Sequence, residues 1–576
     1  MTQASAPGQP TSPRLLWLMV LVLALIYLWG TDNIYMPSNG DEMVYAHIAR
    51  LTAASGQWLP LVSDLNDMRN TKPPVLFWQS MLVSGWGQHW QLWLLRLPSL
   101  MYLALVSLGM CVLLHRWLGE WRSGAWAVLC LLLCWGTFRY GRPYLTTAPE
   151  MFWYSLAPAY VLWCSASHQG QSIHNSAREW LSWTVLGVLT GIGLGYKSFA
   201  LILPVAAGIW AMRLLLQSPS TRRELVVSVA QTLWMSVLAV AVFASWLLID
   251  PQPQEVWREF VQRENAGKLN DSQGYWSLLF SWRGSGDYLT APLQNMGLLF
   301  PWCLVLLGVG WRSLKQSRLA LKGNLSAALC VWIAVWCCVF VLPSQRSSRY
   351  LLPVMPALTM LMALHVQSVT KAVSVAVGVL SLLMLMVVSW LGWHAHPLGL
   401  LPVPWLVTVL LCCVLTLALC LRMCWLKSSQ ALTGLVCAML ALAGLNVLLH
   451  GMSGERIGFQ GNSTQRPQAD TVWVPEGFNG ECERFQFLLP GANRFVPDQH
   501  TVNAFSEGRE QRPGAWFMVD RALGSPELPC ETLQLCDRVA VRWDIEQRLK
   551  PGQVNADNIA RPGEWLWRQE WLLRLR

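Results

Sequence analysis

Charge is scarce in this chain. Of its 576 residues only 13% are Asp, Glu, Lys or Arg while 54% are hydrophobic, whereas an ordinary soluble domain is about one quarter charged. A typical water-soluble globular protein is excluded, and the bilayer becomes the expected solvent. No internal repeat and no extended low-complexity stretch is present, which sets aside solenoid and disordered classes. No two cysteines stand at Cys-x-x-Cys spacing, so a structural zinc site is not expected. The formal net charge is +10, yet no basic stretch carries interleaved aromatics, and a nucleic-acid partner is not expected either.

What is abundant is apolar sequence in long runs. Runs of about 18 residues or more, each able to cross a hydrocarbon core of roughly 30 Å, recur from Arg14 almost to Gly451. Spans are expected near residues 15–30, 95–115, 124–138, 145–166, 180–196, 199–217, 226–249, 293–311, 325–343, 350–367, 371–393, 400–421 and 429–451. The first run is too long for a signal-peptide core and has no convincing small-residue cleavage site after it, so it reads as an anchor. The fold class is therefore mainly α, a polytopic membrane protein with about 13 transmembrane helices.

Lys and Arg in short loops give the orientation, because basic loops are retained in the cytoplasm. A cytoplasmic N-terminus puts Arg116 and Arg122, then Arg213, Arg222 and Arg223, then Arg312, Lys315, Arg318 and Lys322, and finally Arg422 and Lys427 inside. Two bulky pieces then lie outside: the first outer loop, about 31–92, and the segment 453–576.

In the first loop, Val44, Ile48 and Leu51 recur at helical spacing before Gly56, and a second helix is expected after Lys72-Pro73-Pro74. Both read as amphipathic surface helices. From Ser453 the composition turns to Gly, Pro, Asn, Asp, Glu and Arg, with alternating runs at Thr471-Val-Trp-Val and Ala515-Trp-Phe-Met-Val. Those runs predict a small C-terminal α/β domain over 453–576, beside a transmembrane domain over 1–452. Of 16 cysteines only Cys482, Cys530 and Cys536 fall in this tail. An oxidising compartment permits one bridge, from Cys482 to Cys530 or Cys536, with one thiol over.

Ionisable groups at the outer ends of spans are costly and usually have a reason. Here they are Asp41, Glu42, Lys72, Arg142, Glu150, Lys197, Arg346 and Arg349, all expected on the same side. Asp41 and Glu42 open the first surface helix, where a carboxylate can cap the helix or take a proton from an acceptor hydroxyl. Lys72 precedes a helix start, so its ammonium and the free N–H groups can meet on a phosphate; a snorkelling interfacial lysine is the plainer reading. Glu150 lies inside an apolar stretch and needs a partner, either Arg142 or a ligand. Lys197 sits at the turn between two spans, where it can equally position the hairpin at the interface. Arg346 and Arg349 can hold a phosphate bidentately or mark an exception to the positive-inside tendency. Most of the 35 Trp residues belong to the interfacial belt, with Trp58, Trp78 and Trp302 as candidates to stack on a sugar.

Several of these residues sit in recognisable pieces. Gly40-Asp41-Glu42 with Tyr45-Ala46, Ser55-Gly-Gln-Trp-Leu-Pro60, Lys72-Pro73-Pro74 with Trp78, and Arg96-Leu-Pro-Ser99 come first. They are followed by Arg142 with Pro149-Glu150-Met151, Lys197 with Pro204, Glu264-Asn265, Phe300-Pro301-Trp302, and Ser344 through Tyr350-Leu-Leu-Pro353 with Pro356. In this order they resemble the GT-C superfamily of membrane glycosyltransferases, in the group that joins lipid A aminoarabinose transferases to protein O-mannosyltransferases. The resemblance implies a polyprenyl-phosphate sugar donor, Asp41 at the reaction centre, and Lys72, Arg142, Lys197 and Arg349 around the phosphate. It leaves room for a divalent metal ion. The acidic residue typical before Lys-Pro-Pro is Thr71 here, however, and the expected histidine is absent between Gln252 and Leu289.

The expected activity is an inverting glycosyltransferase of the bacterial inner (plasma) membrane, with a cytoplasmic N-terminus and a periplasmic C-terminal domain. The expected catalytic pair is Asp41 and Glu42, with Lys72, Arg142, Glu150, Lys197, Arg346 and Arg349 holding substrate. Its partners would be membrane lipids, the lipid-linked donor, and a lipid A, cell-surface glycan or protein acceptor. A transporter or lipid flippase would favour charges at the membrane midplane and related halves, which the sequence lacks. A non-catalytic membrane assembly subunit is the other alternative.

Overall fold

The computed structural model describes residues 12–34, 40–64, 69–70, 72–167, 175–217, 221–269, 290–315, 324–340, 347–426, 430–452, 467–468, 470–475, 483–489, 494–506, 513–523, 525, 528, 530–543, 559–560 and 566–575. Helices dominate as far as Met452, and all five described strands follow it.

The helical part begins with α1 (Pro13–Leu28), α2 (Gly40–Ala54), α3 (Val75–Val83), α4 (Leu92–Leu118), α5 (Arg122–Leu133), α6 (Thr147–Ser167), α7 (Ala177–Leu194), α8 (Ile202–Leu216) and α9 (Arg222–Ile249). Seven described helices are long and apolar enough to cross a membrane: Leu92–Leu118, Phe199–Leu216, Arg222–Ile249, Thr290–Arg312, Lys371–Ala395, Val403–Trp425 and Ala431–Gly451. Four shorter apolar helices, Pro13–Leu28, Arg122–Leu133, Leu325–Val339 and Ser348–Leu364, accompany them. The expectation of about thirteen spans thus stands at seven helices of full crossing length among the described residues. Local breaks explain part of the difference. α5, at 1.5 Å per residue, covers only about 18 Å before the chain rewinds as a π-helical turn at Thr137–Gly141.

Sequence chemistry sets the ends and packing of these helices. α4 stops at Gly119, whose φ of 74° closes the last turn in the left-handed region. α9 opens on a capping box, in which the Thr221 side chain accepts from the Glu224 N–H and Glu224 accepts from the Thr221 N–H. α7 and α9 cross at Gly187 and Gly191, where an added Cβ would come within 2.9 Å of the Met235 carbonyl and 2.8 Å of the Ala239 carbonyl. Small residues four apart let the two backbones approach this closely. On the other side of α9, Val226, Leu233 and Val237 stay about 60% exposed, an outward apolar stripe suited to lipid.

Both helices expected in the first loop are present, but α2 is not an amphipathic surface helix. Residues 42–49 are all buried. One reason is the C-terminal segment, whose Phe487 joins the apolar cluster of Val44, Tyr45, Ile48 and Phe77. That segment forms a five-stranded sheet in the order β2-β1-β3-β5-β4, with β1 at Thr471–Val474, β2 at Arg494–Pro497, β3 at Trp516–Ala522, β4 at Leu533–Trp543 and β5 at Trp567–Leu575. β1 runs parallel to β2 and β3, whereas β5 runs antiparallel to β3 and β4. Short helices at Arg484–Leu488 and Gln499–Ser506 pack beside it. The bridge differs from expectation: Cys530 pairs with Cys536, six residues on, and Cys482 lies outside the described residues.

Candidate active site

A cavity of about 500 Å³ opens where the start of α2, the approach to α3, the turn between α7 and α8, the segment after α9 and the 348–354 turn converge. Asp41, Lys72, Lys197, Glu264 and Arg349 line it, with Tyr45, Ser198, Asn265 and Tyr350. Four of the residues singled out in the sequence therefore share one wall system, although they are spread over some three hundred positions.

Among the described residues the cavity wall carries Lys72, Lys197 and Arg349, each held by a carboxylate and an aromatic ring. Arg349 Nη1 donates to Asp41 Oδ2 at 2.7 Å and its guanidinium lies 5.6 Å from the centre of the Tyr140 ring. Lys72 Nζ donates to Glu264 Oε1 at 2.9 Å and sits 5.9 Å from the Tyr45 ring centre. Lys197 Nζ donates to Glu150 Oε2 at 2.9 Å and sits 4.9 Å from the Tyr350 ring centre. A carboxylate in line and an aromatic face beneath fix each cationic head at the cavity wall.

Local structure explains the placement. Asp41 occupies the first turn of α2, which projects it into the cavity beside Val44 and Tyr45. The Ser347 side chain accepts from the Arg349 N–H and starts the 3-10 turn that carries Arg349. Ser198 donates to Asn265 Oδ1 at 2.6 Å, and Asn265 donates to the Phe260 carbonyl at 2.8 Å, which joins the α7–α8 turn to the segment after α9. Burial pulls the Lys197 ammonium below the usual lysine range, with Glu150 opposing. Burial also pushes the Tyr45 phenol up, so it stays a hydrogen-bond donor.

The remaining predicted residues lie elsewhere. Glu42 is fully buried and faces away from the cavity. It takes Nε and Nη2 of Arg96, both at 2.7 Å, and the Tyr144 N–H at 2.8 Å. Arg142 is buried against α1 and the 431–452 helix, donating to Asn446 Oδ1 at 3.1 Å and to the Trp29 carbonyl. Glu150 is not itself a wall residue, and its partner is Lys197 rather than Arg142. Its Oε1 is buried without a hydrogen bond. Arg346 and Thr71 lie outside the described residues. The first turn of α3 is not among the cavity walls, so Lys72 reaches the cavity without the N–H groups expected beside it. Trp302 is 1% exposed and unavailable for stacking on a ligand. Trp58 and Trp78 pack edge to face on each other outside the cavity.

Glu264 as the partner of Lys72 was not among the site residues expected from sequence. Its signal was the Glu264-Asn265 pair in the family pattern. Arg96 was likewise visible only in the Arg96-Leu-Pro-Ser99 piece. Among the described residues no group of three or more His, Cys, Asp or Glu is disposed to hold a metal ion.

No family model matches the chain. It is 27% identical over 372 residues to the undecaprenyl phosphate-alpha-4-amino-4-deoxy-L-arabinose arabinosyl transferase of Pectobacterium carotovorum, across 62% of this chain and 60% of that protein. The protein of the same name from Edwardsiella ictaluri is 26% identical, across 66% of this chain and 67% of its own length. Among solved structures, ArnT from Cupriavidus metallidurans bound to undecaprenyl phosphate superimposes with a TM-score of 0.55 at 17% identity, over 88% of this chain and 93% of that one. The chain has the ArnT fold. The apo form of the Cupriavidus metallidurans protein superimposes similarly, with a TM-score of 0.53. The GT-C resemblance seen in the sequence is borne out, and the aligned stretch spans about 60% of the length of the first of these relatives.

Proposed function

We propose that this chain is a multi-pass membrane glycosyltransferase that moves a sugar from a polyprenyl-phosphate carrier to an acceptor hydroxyl, with inversion. The observation that carries this reading is the cavity itself, where Asp41 faces Arg349 while Lys72 and Lys197 line the same space. The sequence similarity to arabinosyl transferases that use an undecaprenyl phosphate-linked sugar supports the donor class.

A donor phosphate entering this space meets Lys72 and Arg349, both of which are already desolvated on one side by aromatic rings. The acceptor oxygen attacks the anomeric carbon from the face opposite the phosphate, and the bond from that carbon to the phosphate oxygen breaks. The leaving phosphate keeps its electron pair, and the cations stabilise the charge it gains. Asp41 takes the acceptor proton as general base. Arg349 is its partner before the donor arrives, so phosphate binding that draws the guanidinium away would release Asp41 for this step. Lys197, held by the buried Glu150, contributes positive potential from the cavity wall.

We further propose that thirteen helices cross the membrane: the seven of full length, the four shorter ones, α6 and α7. An odd number places a cytoplasmic N-terminus opposite an outer C-terminal domain, in agreement with the loop charges. The cavity then faces the compartment where nucleotide sugars are absent, which suits a donor delivered on a lipid. Lipid A or another cell-surface glycan is the preferred acceptor.

Mass spectrometry of lipids and glycans from cells with the wild-type chain, with Asp41→Asn and without the chain tests the reading. A sugar-modified product that requires the chain and is lost in Asp41→Asn is expected. If no sugar product depends on the chain, the transferase reading fails.

A further inference from the structure

The back of α2 carries a second cluster of charge that the chemistry above does not use. Asp41, Val44 and Tyr45 face the cavity, whereas His47 and Arg50 leave the opposite side of the helix, three residues apart on one face. Both reach the same carboxylate. Glu483, at the start of the short C-terminal helix Arg484–Leu488, accepts from His47 Nδ1 at 2.9 Å, Arg50 Nε at 2.7 Å, Arg50 Nη2 at 2.8 Å and the Trp90 indole N–H at 3.2 Å. Its side chain is fully buried. Burial opposes ionisation of Glu483, but His47 and Arg50 outweigh it and hold its pKa below the ordinary carboxylate range. The contact continues in apolar groups. Phe487 stacks on Trp90 with ring centres 6.3 Å apart, and Phe487 and Leu488 pack on Ile34, Met43 and Leu92.

We infer that Glu483 is a positioning residue of the C-terminal segment that clamps α2 from behind and thereby fixes where Asp41 stands in the cavity; the link to catalysis rests on the function proposed above. The physical argument is one of alternatives. A buried carboxylate that satisfies four donors is rigid only while all four remain in place; losing it takes two charge-assisted bonds from Arg50 and leaves the His47 imidazolium tied to the exposed Asp64 rather than to the C-terminal segment. The start of α2 is tied separately, where Glu42 takes Arg96 and the Tyr144 N–H, and Glu483 is what holds its middle turns, through His47 and Arg50, to the C-terminal segment. A shift of the helix by about 1 Å would move Asp41 away from the line of attack, and misplacement on that scale typically costs on the order of a hundredfold in rate.

The test uses the full-length chain, purified in nanodiscs, as wild type, Glu483→Gln, Glu483→Asp and Asp520→Asn. The last breaks the Arg568–Asp520 pair inside the same sheet without touching α2, and so reports general damage to the C-terminal segment. Four quantities are read: amide exchange over residues 40–54, binding of undecaprenyl phosphate, and kcat and KM with undecaprenyl phosphate-linked aminoarabinose and lipid A. Glu483→Gln is expected to speed exchange in α2 and to lower kcat by roughly tenfold to a hundredfold, with carrier binding and KM within about threefold. Glu483→Asp should recover part of kcat, and Asp520→Asn should match wild type. Wild-type exchange in α2 or wild-type kcat in Glu483→Gln overturns the inference, as does an equal loss in Asp520→Asn. If the wild type shows no turnover with this donor and acceptor, aminoarabinose transfer to lipid A is overturned as its reaction, while the exchange measurement still decides whether the clamp exists.

Discussion

The Asp41 carboxylate lies 2.7 Å from the Arg349 guanidinium, a contact between residues 308 apart in the chain. It joins α2 to the 3-10 turn at 348–354, two elements that a sequence reading treats separately. Both side chains are about one third exposed, so the pair borders open space rather than sealed protein. A structural ion pair of this kind adds little stability. Its position, with Lys72 and Lys197 on the same cavity, is what gives it functional weight.

Asp41→Asn keeps the shape of that side chain but removes the proton acceptor. Turnover is expected to fall by about 10²–10⁴, the usual contribution of general-base catalysis, while undecaprenyl phosphate still binds. Product quantification by mass spectrometry beside a carrier-binding measurement checks both halves. An active Asp41→Asn variant would assign the proton transfer to another group.

Lys72 and Glu264 make opposite predictions. Lys72→Ala removes a charged donor from the phosphate, a loss of about 1.5–3 kcal/mol, so carrier affinity should weaken by roughly 10- to 150-fold. Glu264→Gln removes a competing anion from Lys72, and carrier binding should hold or tighten, with a steeper dependence on salt. Titration of both variants with undecaprenyl phosphate at two ionic strengths decides the matter. Weaker binding in Glu264→Gln would mean that Glu264 supports the carrier site instead of competing for it.

Much of this was legible in the sequence because the bilayer writes its demands in long apolar runs. Seven of the long apolar runs and the strands at Thr471-Val-Trp-Val and Ala515-Trp-Phe-Met-Val are visible there, and Asp41, Lys72, Lys197 and Arg349 stand in a wider expected set that also held Glu42, Arg142, Glu150 and Arg346. Partners were not. Glu42 and Asp41 are neighbours in sequence, but on a helix adjacent residues point about 100° apart, so one enters the cavity and the other meets Arg96. Burial of α2 on both sides was also hidden, because the residues that cover it, Glu483 and Phe487, arrive from more than four hundred positions later. The family resemblance makes Arg142 a phosphate candidate, and only packing shows that it faces α1.

Glu42 and Arg96 are both fully buried and make a two-pronged pair that ties α2 to α4. Arg96 also donates to the Thr31 and Asn33 carbonyls at 3.0 and 2.8 Å, tying the end of α1 to the same point. Removing one member strands the other charge, so Arg96→Met is expected to destabilise the protein by about 3–5 kcal/mol. Glu42→Gln retains acceptor capacity and should lose less. Thermal unfolding of the purified variants in one detergent gives the comparison, and equal stability of Arg96→Met and wild type would rule out a structural role for the pair.

His47 makes the back of α2 sensitive to pH. Burial of its ring disfavours the charged form, but the hydrogen bonds it donates to Asp64, at 2.5 Å, and to Glu483 outweigh that effect and raise its pKa from the ordinary 6.5 to about 9. Arg50, on its own helix, shares Glu483 with it. A folded-state pKa above the unfolded one means that protonated His47 stabilises the fold fully below pH 6.5. That contribution fades as pH rises through about 9. The wild-type chain should therefore lose stability relative to His47→Gln between roughly pH 6.5 and 9, whereas below this window the difference should be constant. Thermal unfolding of both proteins across pH 5.5–10 (about half-unit steps) measures it directly, with the variant cancelling every other titrating group. A wild-type advantage that stays flat across the window would show that His47 is neutral in the folded protein and that Arg50 alone holds Glu483.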